Sequence, residues 1–109
     1  MSIEGKQPGL VVDPYLADVL LADLVGHDRQ PAAFCLYFWL FAMTRARGRR
    51  AAHFSYATLS DNTGLSKSSV RRAAQWLERR ALLQLRKTTA TSVPEYAVLT
   101  PWASRTKPG

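Results

Sequence analysis

The sequence predicts a mainly α-helical domain carrying a small β-hairpin. Three observations predict it. Apolar residues recur at helical spacing through much of the first 80 positions, two short stretches near the C-terminal end alternate apolar and polar residues, and a glycine and a capping serine separate two of the helical stretches. A chain of 109 residues can build one modest core but not two. One domain over residues 13–100 is therefore expected, between a flexible arm at 1–12 and a flexible tail at 101–109.

Residues 1–12 include Gly5, Pro8 and Gly9 and offer few apolar groups for packing. Asp13-Pro14 then opens a helix over 13–25. Its carboxylate can accept from the first free amides, proline tolerates the first helical position, and Gly26 is expected to supply the left-handed residue that stops the helix. Leu16, Val19, Leu20 and Leu24 form its apolar stripe, widened by Leu21, with Asp18 and Asp23 off its centre.

The second helix follows Asp28 with Pro31 in its first turn and runs through Phe34, Leu36, Tyr37, Phe38, Leu40 and Phe41 to a stop near Gly48. It is apolar on nearly every side. Such a helix must be covered on more than one face, and both the neighbouring helices and a second subunit are expected to cover it. Leu16, Leu20, Leu24, Phe34 and Phe38 are the candidate dimer surface. As a set the aromatics, Trp39 included, read as plain core, with a cofactor pocket the weaker alternative.

The single cysteine, Cys35, lies inside this apolar run, has no partner for an intrachain disulfide, and is expected to be packing in a reducing cytoplasm. The run is far short of the roughly 20 apolar residues that span a bilayer. The N-terminus lacks the basic-then-apolar pattern of a secretory signal, so a cytoplasmic location is expected.

Beyond Arg49-Arg50, the stretch Ala52-His53-Phe54 suits a short strand, and Ser55 can cap a helix from Tyr56 to Thr63 that Gly64 closes. Ser66 can cap the next helix, over 67–80. Val70, Ala73, Ala74 and Leu77 then share one side of it, at i, i+3, i+4 and i+7, while Ser68, Arg71, Arg72, Gln75 and Arg79 lie on the other. Leu83 to Lys87 and Tyr96 to Leu99 alternate as strands, and the polar link between them completes a hairpin over 83–99.

Charge is unevenly distributed. The net charge of +7 divides into −3 for residues 1–44 and +10 for the remainder, where thirteen lysines and arginines face Asp61, Glu78 and Glu95. That half attracts a polyanion, and nucleic acid is the obvious one. A membrane surface fits less well, because the helix backs its arginines with small alanines rather than with Trp, Phe and Leu.

Arg71 and Arg72 can present planar forks to guanine O6 and N7 or to phosphate, and Gln75 can pair with adenine, so with Ser68 they are the candidate base contacts. Ser66, Lys67, Arg79, Arg86, Lys87, Arg49 and Arg50 are candidate backbone contacts, the first two helped by free amides at the helix N-terminus. A solvated face is the plain alternative for any one arginine. His27 and His53 read as surface residues, Asp28 and Asp61 as helix-end charges, and Trp76 as packing under the hairpin. No metal-ligand spacing, phosphate-cradling glycine motif or catalytic set is present, so neither an enzyme nor a cofactor is expected.

The residues from Phe54 to Arg72, with Gly64-Leu65-Ser66 at the turn, and Trp76-Leu77-Glu78-Arg79-Arg80-Ala81-Leu82-Leu83 resemble the winged helix-turn-helix domains of bacterial transcription regulators and of plasmid or phage replication initiators. The likeness covers about residues 30–99 and leaves an extra N-terminal helix outside it. It implies that the helix from Lys67 enters the major groove, braced by the helix before it, with a buried Leu65 at the turn and the hairpin as a wing on phosphates or the minor groove. Ala81 departs from the pattern, since many relatives place glycine between recognition helix and wing.

A single recognition helix reads few base pairs, so a dimer on double-stranded DNA is expected, acting as a transcriptional regulator, a repressor for instance, or as a plasmid or phage maintenance factor. Two alternatives remain open. One is a replication-initiator or replisome-loading module whose acidic N-terminal half docks another protein, and the other is a winged helix used only for protein interaction.

Overall fold

The structure, a computed structural model, describes residues 11–87, 89 and 93–105. The arm before residue 11, most of the polar link at 88–92 and the tail beyond 105 lie outside the described residues. The order is an N-terminal helix, α1 (Pro31–Met43), a 3₁₀ turn (Arg45–Arg47), β1 (Ala51–His53), α2 (Tyr56–Thr63), α3 (Lys67–Arg79), β2 (Leu83–Arg86), β3 (Glu95–Val98) and α4 (Pro101–Arg105). The fold is mainly helical with a small three-stranded antiparallel sheet, in which β3 lies between β1 and β2.

α1 passes through the middle of the core. Leu36, Tyr37 and Leu40 on it are wholly buried among Leu16, Leu20 and Leu24 of the N-terminal helix, Leu59 of α2, Val70, Ala73, Ala74 and Leu77 of α3, and Leu83, Tyr96 and Val98 of the sheet. Each buried leucine contributes roughly 1.5–3 kcal/mol relative to exposure, which makes this one continuous core the main stabiliser of the chain. Tyr37 stays satisfied there because its hydroxyl donates to the Leu99 carbonyl at 2.7 Å, while burial pushes its ionisation above the ordinary range.

The N-terminal helix winds unusually. It begins as the sequence suggests, with the Tyr15 amide donating to Asp13 Oδ1 at 2.9 Å, but continues as π-helix over Leu16–Leu20 and Ala22–His27. The wider turn keeps the four-residue spacing Leu16, Leu20, Leu24 on the buried line and moves Val19 off it, to 38% exposure. Gly26 does not stop this helix. Arg29 takes the left-handed conformation instead (φ 56°), and the Gln30 amide closes on the Leu24 carbonyl at 2.6 Å, beyond the usual helical closure because the preceding turns are π-wound.

Four other expectations are corrected. Leu16, Leu20 and Leu24 lie inside the chain's own core, so of the expected dimer surface only Phe34 and Phe38 retain outward area. Cys35 is exposed, because α1 turns it away from the core that Leu36 and Tyr37 enter. Leu65 at the turn is only half-buried. The tail expected from residue 101 starts as helix α4, whose Trp102 stacks on Tyr15 with centroids 4.3 Å apart and donates from Nε1 to Asp13 Oδ2 at 2.9 Å. No helix among the described residues is long and apolar enough to cross a membrane.

Candidate nucleic-acid interface

Two caps and a glycine set the angle at which α3 is presented. Ser55 Oγ accepts from the Thr58 amide at 3.1 Å and starts α2, Gly64 ends it at φ 80°, and Ser66 Oγ accepts from the Ser69 amide at 3.1 Å and starts α3. Ser60 Oγ donates to the Leu65 carbonyl at 2.6 Å and ties the turn back to α2. Val70, Ala73, Ala74 and Leu77 are buried at 3% exposure or less. Two alanines let α3 sit close on α1, and the opposite side of the helix is held outward.

That outward side carries Ser68, Arg72, Gln75 and Arg79, all exposed and spaced i, i+4, i+7 and i+11, one straight line along the helix. Arg72, Gln75 and Arg79 line a cleft of about 380 Å³ with Trp76 and with Gln30 at the foot of α1. Planar guanidinium forks, two side-chain amides and an indole edge are the groups that pair with phosphate oxygens and base edges. Arg72 and Arg79 make no ion pair among the described residues, so both forks remain available.

The flanks of α3 differ from that line. Arg71 leans over the Tyr56 ring, 5.5 Å from its centroid, and so stands on the side toward α2. Arg80 is drawn the other way, over the Trp76 ring at 5.0 Å and into an ion pair with Asp28. His27 and then Arg80 hold the Asp28 carboxyl below its ordinary value, by hydrogen bonding to the charged form. Asp28 is thus a specific partner for Arg80 as well as a charge at a helix end. Trp76 is half-buried against the core.

The remaining sequence candidates separate into groups. Ser66 uses its hydroxyl for capping, while Lys67 and Ser68 are exposed beside the first free amides of α3. Arg86 and Lys87 at the foot of the hairpin share a groove of about 330 Å³ with Gln75, Glu78 and Tyr56. Arg50 belongs elsewhere: with Arg45 it lines a trough on the outer side of the sheet, and Arg49 is exposed on the connection leading there.

Sequence reasoning missed Gln30, Tyr56 and Arg45. No local signal marks Gln30 or Tyr56, whose places depend on how α1 and α2 pack on α3. Arg45 did have a signal, the run Arg45, Arg47, Arg49, Arg50, of which only the last two were singled out. Among the described residues no cluster of His, Cys, Asp and Glu is placed to hold a metal ion. Comparisons of this chain with protein-family models, with curated proteins and with solved structures return no match.

Proposed function

We propose that the protein is a double-stranded-DNA-binding domain of the winged helix-turn-helix kind, with α3 as recognition helix and the β2–β3 hairpin as wing. The observation that carries this reading is the line Ser68, Arg72, Gln75, Arg79, exposed, free of acidic partners among the described residues and set on a helix whose angle α2 and two serine caps fix. In the major groove, Arg72 and Gln75 read base edges and Arg79 joins them. Lys67, Arg86 and Lys87 hold phosphates and set the register.

Arg71, over the Tyr56 ring, is a flank contact on the side toward α2. The role is that of a transcriptional regulator or a plasmid or phage maintenance factor, working as a dimer because one such helix specifies few base pairs. In a binding selection followed by competition titrations, Arg72→Ala weakens the selected site about 5- to 150-fold and leaves random DNA nearly unchanged, as expected of a base contact. Equal loss on both duplexes identifies Arg72 as a phosphate contact, and absence of any selected site contradicts the reading of a specific binder.

A further inference from the structure

The arginines fall on two surfaces rather than one. Strand alternation sends Leu83, Tyr96 and Val98 into the core and Gln84, Arg86, Glu95 and Ala97 to the outer side of the sheet. On that side Ala51 and Ala97 sit opposite each other on neighbouring strands, and Ala97 is in turn paired with Gln84. Their methyl groups leave a trough of about 350 Å³, and its rim includes Arg45, Arg50, Gln84, Arg86 and Glu95.

The rim is held in place at its basic end. Arg45 is half-buried, with Nε donating to the Val98 carbonyl at 3.0 Å, and the Arg50 carbonyl accepts from the Val98 amide at 3.3 Å. None of the three arginines has an ion pair among the described residues, and since Arg86 is shared with the groove beside α3, Arg45 and Arg50 against Glu95 leave the trough a net positive charge of its own. A fixed guanidinium over a shallow, small-residue floor suits a phosphodiester backbone, which needs charge and breadth rather than depth.

α3 and the sheet enter the same core, the helix through Val70, Ala73, Ala74 and Leu77 and the sheet through Leu83, Tyr96 and Val98. Their outer sides both face away from that core, and the trough on the sheet shares no lining residue with the cleft along α3. We propose that the trough takes the sugar-phosphate backbone of a second DNA duplex, so that one protein molecule bridges two duplexes. This rests on the reading that α3 holds the first. Arg86, which lines both the trough and the groove beside α3, marks the corner between the two surfaces.

The test uses Arg50→Glu with Gln84→Glu, both exposed rim positions away from α3, with circular dichroism to verify folding. An immobilised duplex is loaded with protein and offered a second, fluorescent duplex, while anisotropy measures affinity for a single duplex. The wild-type protein is expected to capture the second duplex; the double variant loses capture about tenfold or more, yet binds a single duplex within about threefold of wild type.

Capture undiminished in the double variant overturns the proposal, since two α3 helices from two copies then do the bridging. Single-duplex affinity lost together with capture overturns it too, because the rim then contacts the same duplex as α3. A wild-type protein that binds one duplex but captures no second also contradicts it. No single-duplex binding at all removes the α3 reading itself, and the bridge with it.

Discussion

The α2–α3 unit and the N-terminal helix are built on opposite plans. In α2–α3 each boundary is made by a residue at that boundary: Ser55, Gly64 and Ser66 cap or close within four positions of themselves. The N-terminal helix has one local cap, Asp13, is π-wound, and ends on a left-handed arginine. Distant residues hold it, Trp102 at its start and Arg80 at its end. Local encoding leaves α3 free to present its outer line, whereas the N-terminal helix depends on the rest of the fold being in place.

The largest effect expected from this contrast comes from Trp102→Ala. It removes the stack on Tyr15 and the bond to Asp13, and chemical denaturation should show a loss of about 2–4 kcal/mol. Ser66→Ala, in contrast, loses a cap worth about 1 kcal/mol and should weaken DNA binding through fraying of the first turn of α3. Were the two losses equal, the distinction between local and distant support would fail.

Ala81→Gly sharpens the comparison in the opposite direction. The Leu82 amide bonds to the Leu77 carbonyl and the Ala81 amide to that of Glu78, both at 3.0 Å, the closure that places a left-handed residue at Ala81 (φ 59°). Glycine there should raise stability by about 0.5–1 kcal/mol, read as a higher denaturation midpoint. A lowered midpoint would show that chain entropy in the unfolded state outweighs the relief of strain.

The smallest effect is electrostatic. Asp28 titrates below its ordinary value of 3.8, so its contribution is present at neutral pH and is lost as the pH falls below that value. Asp28→Asn should lower the neutral plateau slightly and converge with wild type at low pH, which leaves a flatter acid limb. An unchanged acid limb would indicate that the contact with Arg80 is not maintained in solution.

The same contrast explains what could be read from the residues. α2 runs from Tyr56 to Thr63 and α3 begins at Lys67, as anticipated, because serine caps and Gly64 act over one turn. The three strands lie within a residue of their anticipated places, since alternation is also local. Winding of the N-terminal helix was not legible: Leu16, Val19, Leu20 and Leu24 fit an α-helical stripe equally well, and nothing local in the sequence marks the π form. Trp102, in a stretch with two prolines, an arginine and a lysine, gave no sign that Tyr15 and Asp13 lie next to it in space.

The candidate site was legible in kind but not in layout. Arg72, Gln75 and Arg79 were placed on the outward side by helical spacing, but that spacing did not show that Arg71 leans over Tyr56 and off their line, which depends on how α2 packs beside α3. Arg50 was grouped with α3 by charge alone, and strand pairing moves it to the far side of the sheet.

The central claim, that the exposed line of α3 binds duplex DNA, is tested most directly by the salt dependence of binding in wild type and in Arg72→Ala, Arg79→Ala, followed by anisotropy. For the cationic groups placed on phosphates or the flank, Lys67, Arg71, Arg86 and Lys87, log K should fall linearly with log salt at a slope of roughly −3 to −4, and the double variant should bind the selected site at least about 5-fold more weakly with a slope near that of wild type, as expected of base contacts. Wild-type binding that is insensitive to salt, or a double variant with the affinity of wild type for the selected site, would contradict the claim.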